Sequence, residues 1–256
     1  MPRMEHPEQH DTPAAGAPGT PLAGTVAIVT GASRGIGRAT AAAFSAAGAA
    51  VALAARDAEA LAEAARAITA AGGRALAVPT DVADEAAVAA LFARVTQALG
   101  PVSALVNAAG ALANVPFAEM DAATWDRVLG TNLRGMFLCC RAAFRQMAPR
   151  GGGVILNIAS LSGMRGVEKF PGLSAYTASK FGVAGLTESL AVEGRPLGIR
   201  VLAVSPGAVD TAMLRAAAPH LKPGMTPDEL ARILVWLAGP DARPLSGSNL
   251  EIFSNG

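Results

Sequence analysis

The sequence is short of charge and of cysteine. Its 21 Lys and Arg nearly balance its 20 Asp and Glu, with no run of one sign, so we expect neither nucleic acid nor an anionic membrane as a partner. Cys139 and Cys140 are neighbours in a predicted helix and point in different directions, so we expect reduced, buried thiols. No spacing of Cys and His resembles a zinc site, and we predict no bound metal.

Long, strongly apolar runs are also missing. The most apolar stretch, residues 39–55, is mostly alanine and is interrupted by Ser45 and Gly48, which falls short of the ~18 apolar residues that a membrane span needs. Residues 1–20 lack the apolar core of a signal peptide. We therefore expect a soluble, cytoplasmic protein with a disordered tail over residues 1–20 and a single globular domain over residues 21–256.

Strands and helices alternate along this domain. Runs rich in Val, Ile and Ala predict strands at residues 25–29, 50–54, 75–78, 104–106, 154–158, 199–204 and 249–253. Helical periodicity predicts helices at residues 36–47, 57–70, 84–99 (with Asp84 as its N-cap), 124–147, 175–193 and 227–237. This alternation predicts an α/β fold, a doubly wound Rossmann architecture with a parallel sheet of about seven strands and helices on both faces.

A glycine-rich turn, T-G-A-S-R-G-I-G at residues 30–37, connects the first strand to the first helix. Gly31, Gly35 and Gly37 allow positive φ and close backbone approach, and the helix start offers free N–H groups to a diphosphate. The alternative is a glycine-rich loop that binds nothing. The strand-turn-helix context favours a dinucleotide site, although the spacing differs from the common G-x-G-x-x-G.

A lysine follows the single tyrosine of the chain by one helical turn. Tyr176 and Lys180 would share one helix face, where the ammonium could lower the phenol pKa from its ordinary ~10. Tyr176 would then be a general acid in reduction or a base in oxidation. The alternative is an ordinary pair of side chains on a helix surface.

Further motifs surround this pair in a fixed order. The chain has N-A-A-G at residues 107–110, then Asn132, then Ser160 before the Y-T-A-S-K of residues 176–180, and S-P-G at residues 205–207. Together with the glycine turn, they resemble the short-chain dehydrogenase/reductase family from about residue 22 onward. The resemblance implies an NAD(P)-dependent oxidoreductase that interconverts a carbonyl and a secondary alcohol. It assigns catalysis to four residues, Asn132, Ser160, Tyr176 and Lys180.

The position of Ser160 and the family resemblance of Asn132 suggest roles for these two residues. Ser160 comes just after a strand, at the carboxyl end of the sheet, where its hydroxyl could stabilise charge developing on the substrate oxygen. An ordinary loop serine is the alternative, and Ser162 is a neighbouring candidate. Asn132 resembles the family asparagine that interrupts its helix and binds a water linking the lysine to solvent, and a purely structural helix kink is compatible with that. The resemblance also suggests an insertion of about three residues at 164–173.

The end of the second strand favours NADP(H), with NAD(H) possible. Ala55 stands where NAD-preferring family members have aspartate, and Arg34 with Arg56 could hold a 2′-phosphate. Solvated surface arginines are the alternative. The full set of cofactor contacts implied by the resemblance is Gly31, Ser33, Arg34, Gly35, Ile36, Gly37, Arg56, Asp81, Val82, Asn107, Ala108, Gly110, Tyr176, Lys180, Pro206, Gly207, Val209 and Thr211.

The substrate pocket is expected between residues 164–173 and 212–223. Most of its candidate lining is apolar, which predicts a small hydrophobic carbonyl or alcohol substrate; the residues are Met164, Val167, Phe170, Leu173, Met213 and Leu214. A non-catalytic NADP(H)-binding sensor or scaffold on the same fold is the alternative function. By the same resemblance we expect a homotetramer or homodimer packed through the helices at residues 124–147 and 175–193.

Overall fold

A computed structural model describes residues 20–253 and contains one seven-stranded, fully parallel sheet. The strands are β1 Val26–Thr30, β2 Ala50–Ala55, β3 Arg74–Pro79, β4 Ala104–Asn107, β5 Gly153–Ile158, β6 Ile199–Pro206 and β7 Asn249–Ile252. Their order across the sheet is β3-β2-β1-β4-β5-β6-β7. The order reverses between β1 and β4, and this reversal opens a ligand crevice beyond the strand ends. The predicted Rossmann architecture is confirmed.

The central strands are buried on both faces, which explains their unbroken apolar runs. Every residue of β1 is buried, and in the sheet register Val29 lies beside Leu53 on one side and Val106 on the other. The apolar side chains of these central strands bury much area and need no polar partner. Their burial therefore stabilises the sheet that carries the site.

Residues 20–253 form eight α-helices, six of which pack on the sheet. They are α1 Gly35–Ala46, α2 Ala58–Ala70, α3 Glu85–Leu99, α4 Ala122–Leu129, α5 Gly135–Met147, α6 Ser174–Gly194, α7 Ala212–Ala217 and α8 Pro227–Ala238. One face carries α1, α2 and α8, through residues such as Phe44, Leu61 and Leu234. The other face carries α3, α5 and α6, through residues such as Leu91 and Val183. Helices thus lie on both faces, as predicted.

The helix predicted at residues 124–147 differs from the structure. It begins at Ala122, because the Asp121 side chain accepts a hydrogen bond from the N–H of Thr124 and caps it. It is also interrupted by one π-helical turn, Gly130–Arg134, between α4 and α5. Other predicted boundaries differ from the observed ones by one or two residues. Helix α7 was not predicted.

Several expectations concern the chain outside the sheet. The tail predicted at residues 1–20 lies, apart from Thr20, outside the described residues. Within residues 20–253, no helix is long and apolar enough to cross a membrane, and His, Cys, Asp and Glu side chains form no group of three that could hold a metal ion. Cys139 and Cys140 are free and buried, and burial raises the pKa of Cys140 to about 12.

Candidate active site

The glycine turn after β1 touches the turn after β4. A Cβ added to Gly31 would lie 2.6 Å from the carbonyl oxygen of Ala108, and one added to Gly37 would lie 2.4 Å from that of Gly31. The Thr30 hydroxyl oxygen accepts the N–H groups of Ala108 and Ala109, both at 3.1 Å. Only glycine fits at these two positions, so both turns form one surface.

The start of α1 is open to a ligand. Its N-cap, Arg34, makes no side-chain capping bond, and its first turn contains no acidic residue. In contrast, Asp57 and Asp84 cap α2 and α3 with their carboxylates. The free N–H groups and the helix dipole fit a dinucleotide diphosphate. Across the turn, a Cβ on Gly35 would lie 3.3 Å from the Thr211 methyl carbon, so the segment after β6 faces the turn.

Most residues assigned to the cofactor lie at or just beyond the carboxyl ends of parallel strands and share this edge of the sheet. They follow β1 (Gly31, Ser33, Arg34, Gly35, Ile36 and Gly37), β2 (Arg56) and β3 (Asp81 and Val82), or lie at and beyond the last residue of β4 (Asn107, Ala108 and Gly110) and of β6 (Pro206, Gly207, Val209 and Thr211), whereas Tyr176 and Lys180 lie on α6. At the end of β2 the carboxylate of Asp57 is occupied as the cap of α2. Arg34 and Arg56 are exposed and make no ion pair within residues 20–253.

Asn107 contributes differently from the other residues of its turn. Its side chain is buried in the core, where Nδ2 donates to Asn157 Oδ1 at 2.9 Å and contacts Cys140 Sγ at 3.3 Å. The Nδ2 of Asn157 in turn donates to the Thr187 hydroxyl at 2.9 Å. This network ties β4 and β5 to α5 and α6. The Asn107 amide nitrogen therefore supports the sheet at the end of β4.

Ser160, Tyr176 and Lys180 meet where β5 ends. Ser160 follows β5, its side chain hydrogen-bonds Tyr176, and its Oγ also accepts the N–H of Ser162. The Lys180 ammonium is 5.6 Å from the centre of the Tyr176 ring and donates to the carbonyl of Ile158 at 2.7 Å. The sequence-predicted cluster is therefore one compact group. Ser160, and not Ser162, is the serine at the phenol.

The protonation of this cluster differs from the expectation that the lysine lowers the phenol pKa. Burial raises the pKa of Tyr176 above its ordinary value, and the hydrogen bond with Ser160 offsets this in part. Burial also lowers the pKa of Lys180 to about 8. Removal from water is thus the largest effect on the pKa of both groups. The phenol holds its proton at neutral pH.

The π-helical turn places the Asn132 side chain within hydrogen-bond distance of Ser179, three residues after Tyr176. Asn132 is fully buried, its Oδ1 accepts the N–H of Ala111 at 2.7 Å, and its Nδ2 donates to the Ala111 carbonyl and the Ser179 hydroxyl, both at 2.9 Å. Ser179 donates to the carbonyl of Tyr176 at 2.6 Å. The amide therefore joins the strand β4 loop to α6. Its side chain bonds Ala111 and Ser179, not the lysine.

Comparison with known proteins decides the family. Residues 25–222 match the family described as short chain dehydrogenase. The chain belongs to the short-chain dehydrogenase/reductase family. A relative from Sinomonas cyclohexanicum, cis-4-hydroxycyclohexanecarboxylate dehydrogenase, is 40% identical over 245 residues, covering 91% of this chain and 97% of that protein. The 2-(R)-hydroxypropyl-CoM dehydrogenase of Xanthobacter autotrophicus is 40% identical over 241 residues, covering 88% and 95%.

Solved structures agree with this family. A short-chain type dehydrogenase/reductase from Mycobacterium marinum superposes with a TM-score of 0.86 at 35% identity, covering 91% of this chain and 95% of that one. A 7α-hydroxysteroid dehydrogenase in complex with NADH and 7-oxo glycochenodeoxycholic acid has a TM-score of 0.86 at 30% identity, covering 92% and 95%. The short-chain dehydrogenase/reductase described here is thus an oxidoreductase acting on CH–OH donors with an NAD(P)(H) cofactor, as predicted.

Three segments of this short-chain dehydrogenase/reductase meet beyond the carboxyl ends of the strands. The Val115 N–H donates to the carbonyl of Gly172 at 3.0 Å, which ties the loop after β4 to residues 164–173. The rings of Phe170 and His220 pack edge to face at 6.5 Å between centroids, which joins residues 164–173 to the segment after α7. The Met213 methyl carbon would lie 3.7 Å from a Cβ on Gly110. The predicted pocket segments therefore contact one another.

Sequence reasoning missed two contributors to the site. Ser179 links Asn132 to the backbone of Tyr176, and its position three residues after the tyrosine was the available signal. Lys169 holds the loop of residues 164–173 closed, because its ammonium donates to the carbonyls of Met164 at 2.5 Å and Val167 at 2.7 Å. A single lysine within a loop carries no sequence signal for hydrogen bonds to the carbonyls of its own loop.

Proposed function

We propose that this short-chain dehydrogenase/reductase is an NADP(H)-dependent enzyme that interconverts a ketone and a secondary alcohol, with Tyr176 as general acid/base. The observation that carries the proposal is the contact of Ser160 with the Tyr176 phenol beside the buried Lys180 ammonium. A sensor or scaffold on the same fold has no need of such a costly buried cation. The enzymatic function accounts for the cluster.

In the proposed reduction, each side chain has one task. When bound, NADPH supplies the hydride that reduces the carbonyl carbon. The Ser160 hydroxyl donates a hydrogen bond to the substrate oxygen as negative charge develops there. The Tyr176 Oη then gives its proton to that oxygen, and the Lys180 ammonium favours the resulting phenolate. A phenol that keeps its proton at neutral pH suits this direction of reaction.

The preference for NADP(H) rests on the end of β2. Ala55 offers no carboxylate to the ribose hydroxyls, and the next acid, Asp57, is occupied by the N–H of Ala60 at 3.1 Å. Arg34 and Arg56 are exposed cations without a carboxylate partner in residues 20–253. A 2′-phosphate would be paired by two guanidinium groups there.

The proposed substrate is a hydrophobic cyclic ketone or alcohol. The pocket segments, residues 164–173 and 212–223, are mostly apolar and include the large apolar side chains of Met164, Phe170 and Met213. Two of the relatives named above act on alcohols of carbocyclic rings, one on a hydroxycyclohexanecarboxylate and one on a hydroxysteroid. Ring substrates of intermediate size therefore come first in a search for activity.

A substrate panel with both cofactors tests the proposed function. We expect NADPH-dependent reduction of cyclic ketones, and we expect Tyr176→Phe to lower kcat by about 10²–10⁴-fold while NADPH still binds, because only the proton donor is lost. Thr177→Val, the next position of α6, is the matched control and should keep activity. Full activity of Tyr176→Phe, or no turnover across the panel despite tight NADPH binding, would contradict the proposal.

A further inference from the structure

A second cleft lies at the opposite end of the sheet from the active site. Its walls include residues that begin or precede four strands, Thr25 for β1, Ser103 for β4, Gly153 for β5 and Ile199 for β6. The end of α8 closes one side at Gly239. The cleft volume is about 680 Å³, within the range of small-molecule sites. It lies at the amino ends of strands whose carboxyl ends carry the catalytic cluster.

The cleft is basic. Within residues 20–253, Arg195, Arg200 and Arg243 line it, whereas neither Asp nor Glu does. None of the three arginines forms an ion pair within the described part of the chain. Burial and the neighbouring charge of Arg243 both lower the pKa of Arg200. Unpaired charges of one sign in a single cleft leave a positive field that an anion would neutralise.

Arg200 is held in place by the fold. Its guanidinium donates to the carbonyls of Leu237 at 3.1 Å, Ala238 at 3.3 Å and Ala242 at 2.9 Å, where α8 ends. These bonds satisfy the free carbonyls of the last helical turn. In contrast, the side chains of Arg195 and Arg243 are exposed and form no ion pair within residues 20–253, so their donors are available to a ligand.

Two hydroxyl groups add donors of fixed position. Ser103 Oγ accepts the N–H of Val26 at 3.1 Å, and Ser246 Oγ accepts the N–H of Val201 at 3.2 Å. Neither hydroxyl donates to an acceptor within residues 20–253. Because each oxygen is fixed by a backbone bond and its proton has no protein acceptor, both can donate to a ligand in the cleft.

We propose that this cleft binds a small molecule bearing a phosphate group. The oxygens of a tetrahedral phosphate accept bonds from several directions, which matches two free guanidinium groups and two hydroxyls better than a planar carboxylate does. The remaining walls, including Leu22, Val154 and Pro244, offer apolar area to an organic body. The site is separate from the proposed cofactor site and does not rest on the proposed function.

Calorimetric titration of the full chain with inorganic pyrophosphate tests the site. Because Arg34 and Arg56 could also bind this probe, two double variants are compared, Arg195→Gln/Arg243→Gln in the cleft and Arg34→Gln/Arg56→Gln at the glycine turn. Arg200 stays intact because it caps α8. Both pairs are exposed and lose the same charge, so non-specific electrostatic effects are matched.

The two variants separate the outcomes. We expect pyrophosphate to bind the Arg34→Gln/Arg56→Gln chain, and to bind it at least about tenfold more weakly once Arg195→Gln/Arg243→Gln is added, with partial recovery when Arg195→Lys/Arg243→Lys is added instead. Melting temperatures without ligand identify any variant that fails to fold. Binding lost with Arg34 and Arg56 but unchanged by the cleft substitutions, or no binding up to about 10 mM, would overturn the proposal.

Discussion

At the scale of single residues, burial shifts the pKa values of Tyr176 and Lys180. Burial raises the pKa of the phenol and lowers that of the ammonium to about 8, so each group is pushed toward its neutral form. The Ile158 carbonyl compensates the lysine in part, at 2.7 Å. The chemistry proposed for this pair therefore has a cost in folding stability that can be measured.

Lys180→Met should make stability less dependent on pH. The folded chain has a lysine pKa of about 8 against 10.5 when unfolded, so the unfolded chain binds more protons between these values. The penalty is complete below pH 8 and is relieved as pH rises toward 10.5, a change of up to about 3 kcal/mol. Chemical denaturation of the cofactor-free chain measures it. The stability advantage of Lys180→Met over the wild type should therefore shrink as the pH rises from about 8 to 10.5.

Lys222→Met is the control for that measurement, because Lys222 is exposed on the segment after α7. Its stability difference from the wild type should stay constant over the same pH range. A Lys180→Met difference that is equally constant would show that the buried ammonium carries no penalty.

Arg34 and Arg56 allow the cofactor preference to be tested by substitution. Arg34→Ala/Arg56→Ala should raise the KM for NADPH by about 10–100-fold and leave the KM for NADH within about twofold, because only the former has a 2′-phosphate to pair. Steady-state rates with both cofactors measure the ratio. Arg38→Ala is the control. Arg38 lies on α1, whose N-cap is Arg34, but its guanidinium pairs with Glu63 at 2.9 Å. Equal effects on both cofactors would contradict the assignment.

At the scale of elements, sequence pattern predicted what depends on short-range chemistry. The sequence predicts all seven strands of residues 20–253, most clearly the central ones such as β1, which are buried on both faces and have unbroken apolar runs, and it predicts Asp84 as a helix cap. The π-helical turn was not predicted in form, although Asn132 indicated an interruption. That turn depends on bonds to Ala111 and Ser179, which are 21 and 47 residues away in the chain. Sequence periodicity depends on residues a few positions apart, so it does not reveal partners this distant in the chain.

The loop that contains Ser160 contacts α6 at Gly163, and this contact gives a prediction at the scale of elements. A Cβ on Gly163 would lie 2.5 Å from the backbone carbon of Lys180. Gly163→Ala should therefore push the Ser160 loop away from Tyr176, cost about 1–3 kcal/mol of stability and lower kcat more than it raises KM. Thermal melts and steady-state kinetics measure both effects.

Gly130→Ala is the matched control for that substitution. A Cβ there would meet no atom within 4 Å, and the residue already has helical φ and ψ of −55° and −46°. The change should keep activity and leave stability unchanged or raise it by about 0.5–1 kcal/mol. A Gly163→Ala variant as stable and active as Gly130→Ala would contradict the contact.

At the scale of the whole molecule, exposed aromatic rings on one face suggest self-association. Phe137 on α5 and Phe181 on α6 are 43% and 37% exposed, and both helices belong to the pair expected to pack between subunits. We propose that the chain forms a homodimer or homotetramer through them. Members of the family are commonly oligomeric, and their substrates are small molecules.

Phe137→Glu should shift the protein toward monomers, because a carboxylate buried between subunits would lack a partner. Light scattering after size-exclusion chromatography measures the mass. Phe117→Glu is the control, since Phe117 is 75% exposed but lies before α4, outside the α5 and α6 pair. A wild type that runs as a monomer at all concentrations would refute this arrangement.

The solitary phenol of the chain makes the molecule its own spectroscopic reporter. Since no second tyrosine ionises, ultraviolet difference absorbance near the phenolate band follows Tyr176 alone, in the unlabelled wild type. A titration of the cofactor-free protein should place its midpoint above the ordinary value of 10.0. Repeating it after NADPH is added would read out, in a single optical signal, how cofactor binding changes the acidity on which turnover depends.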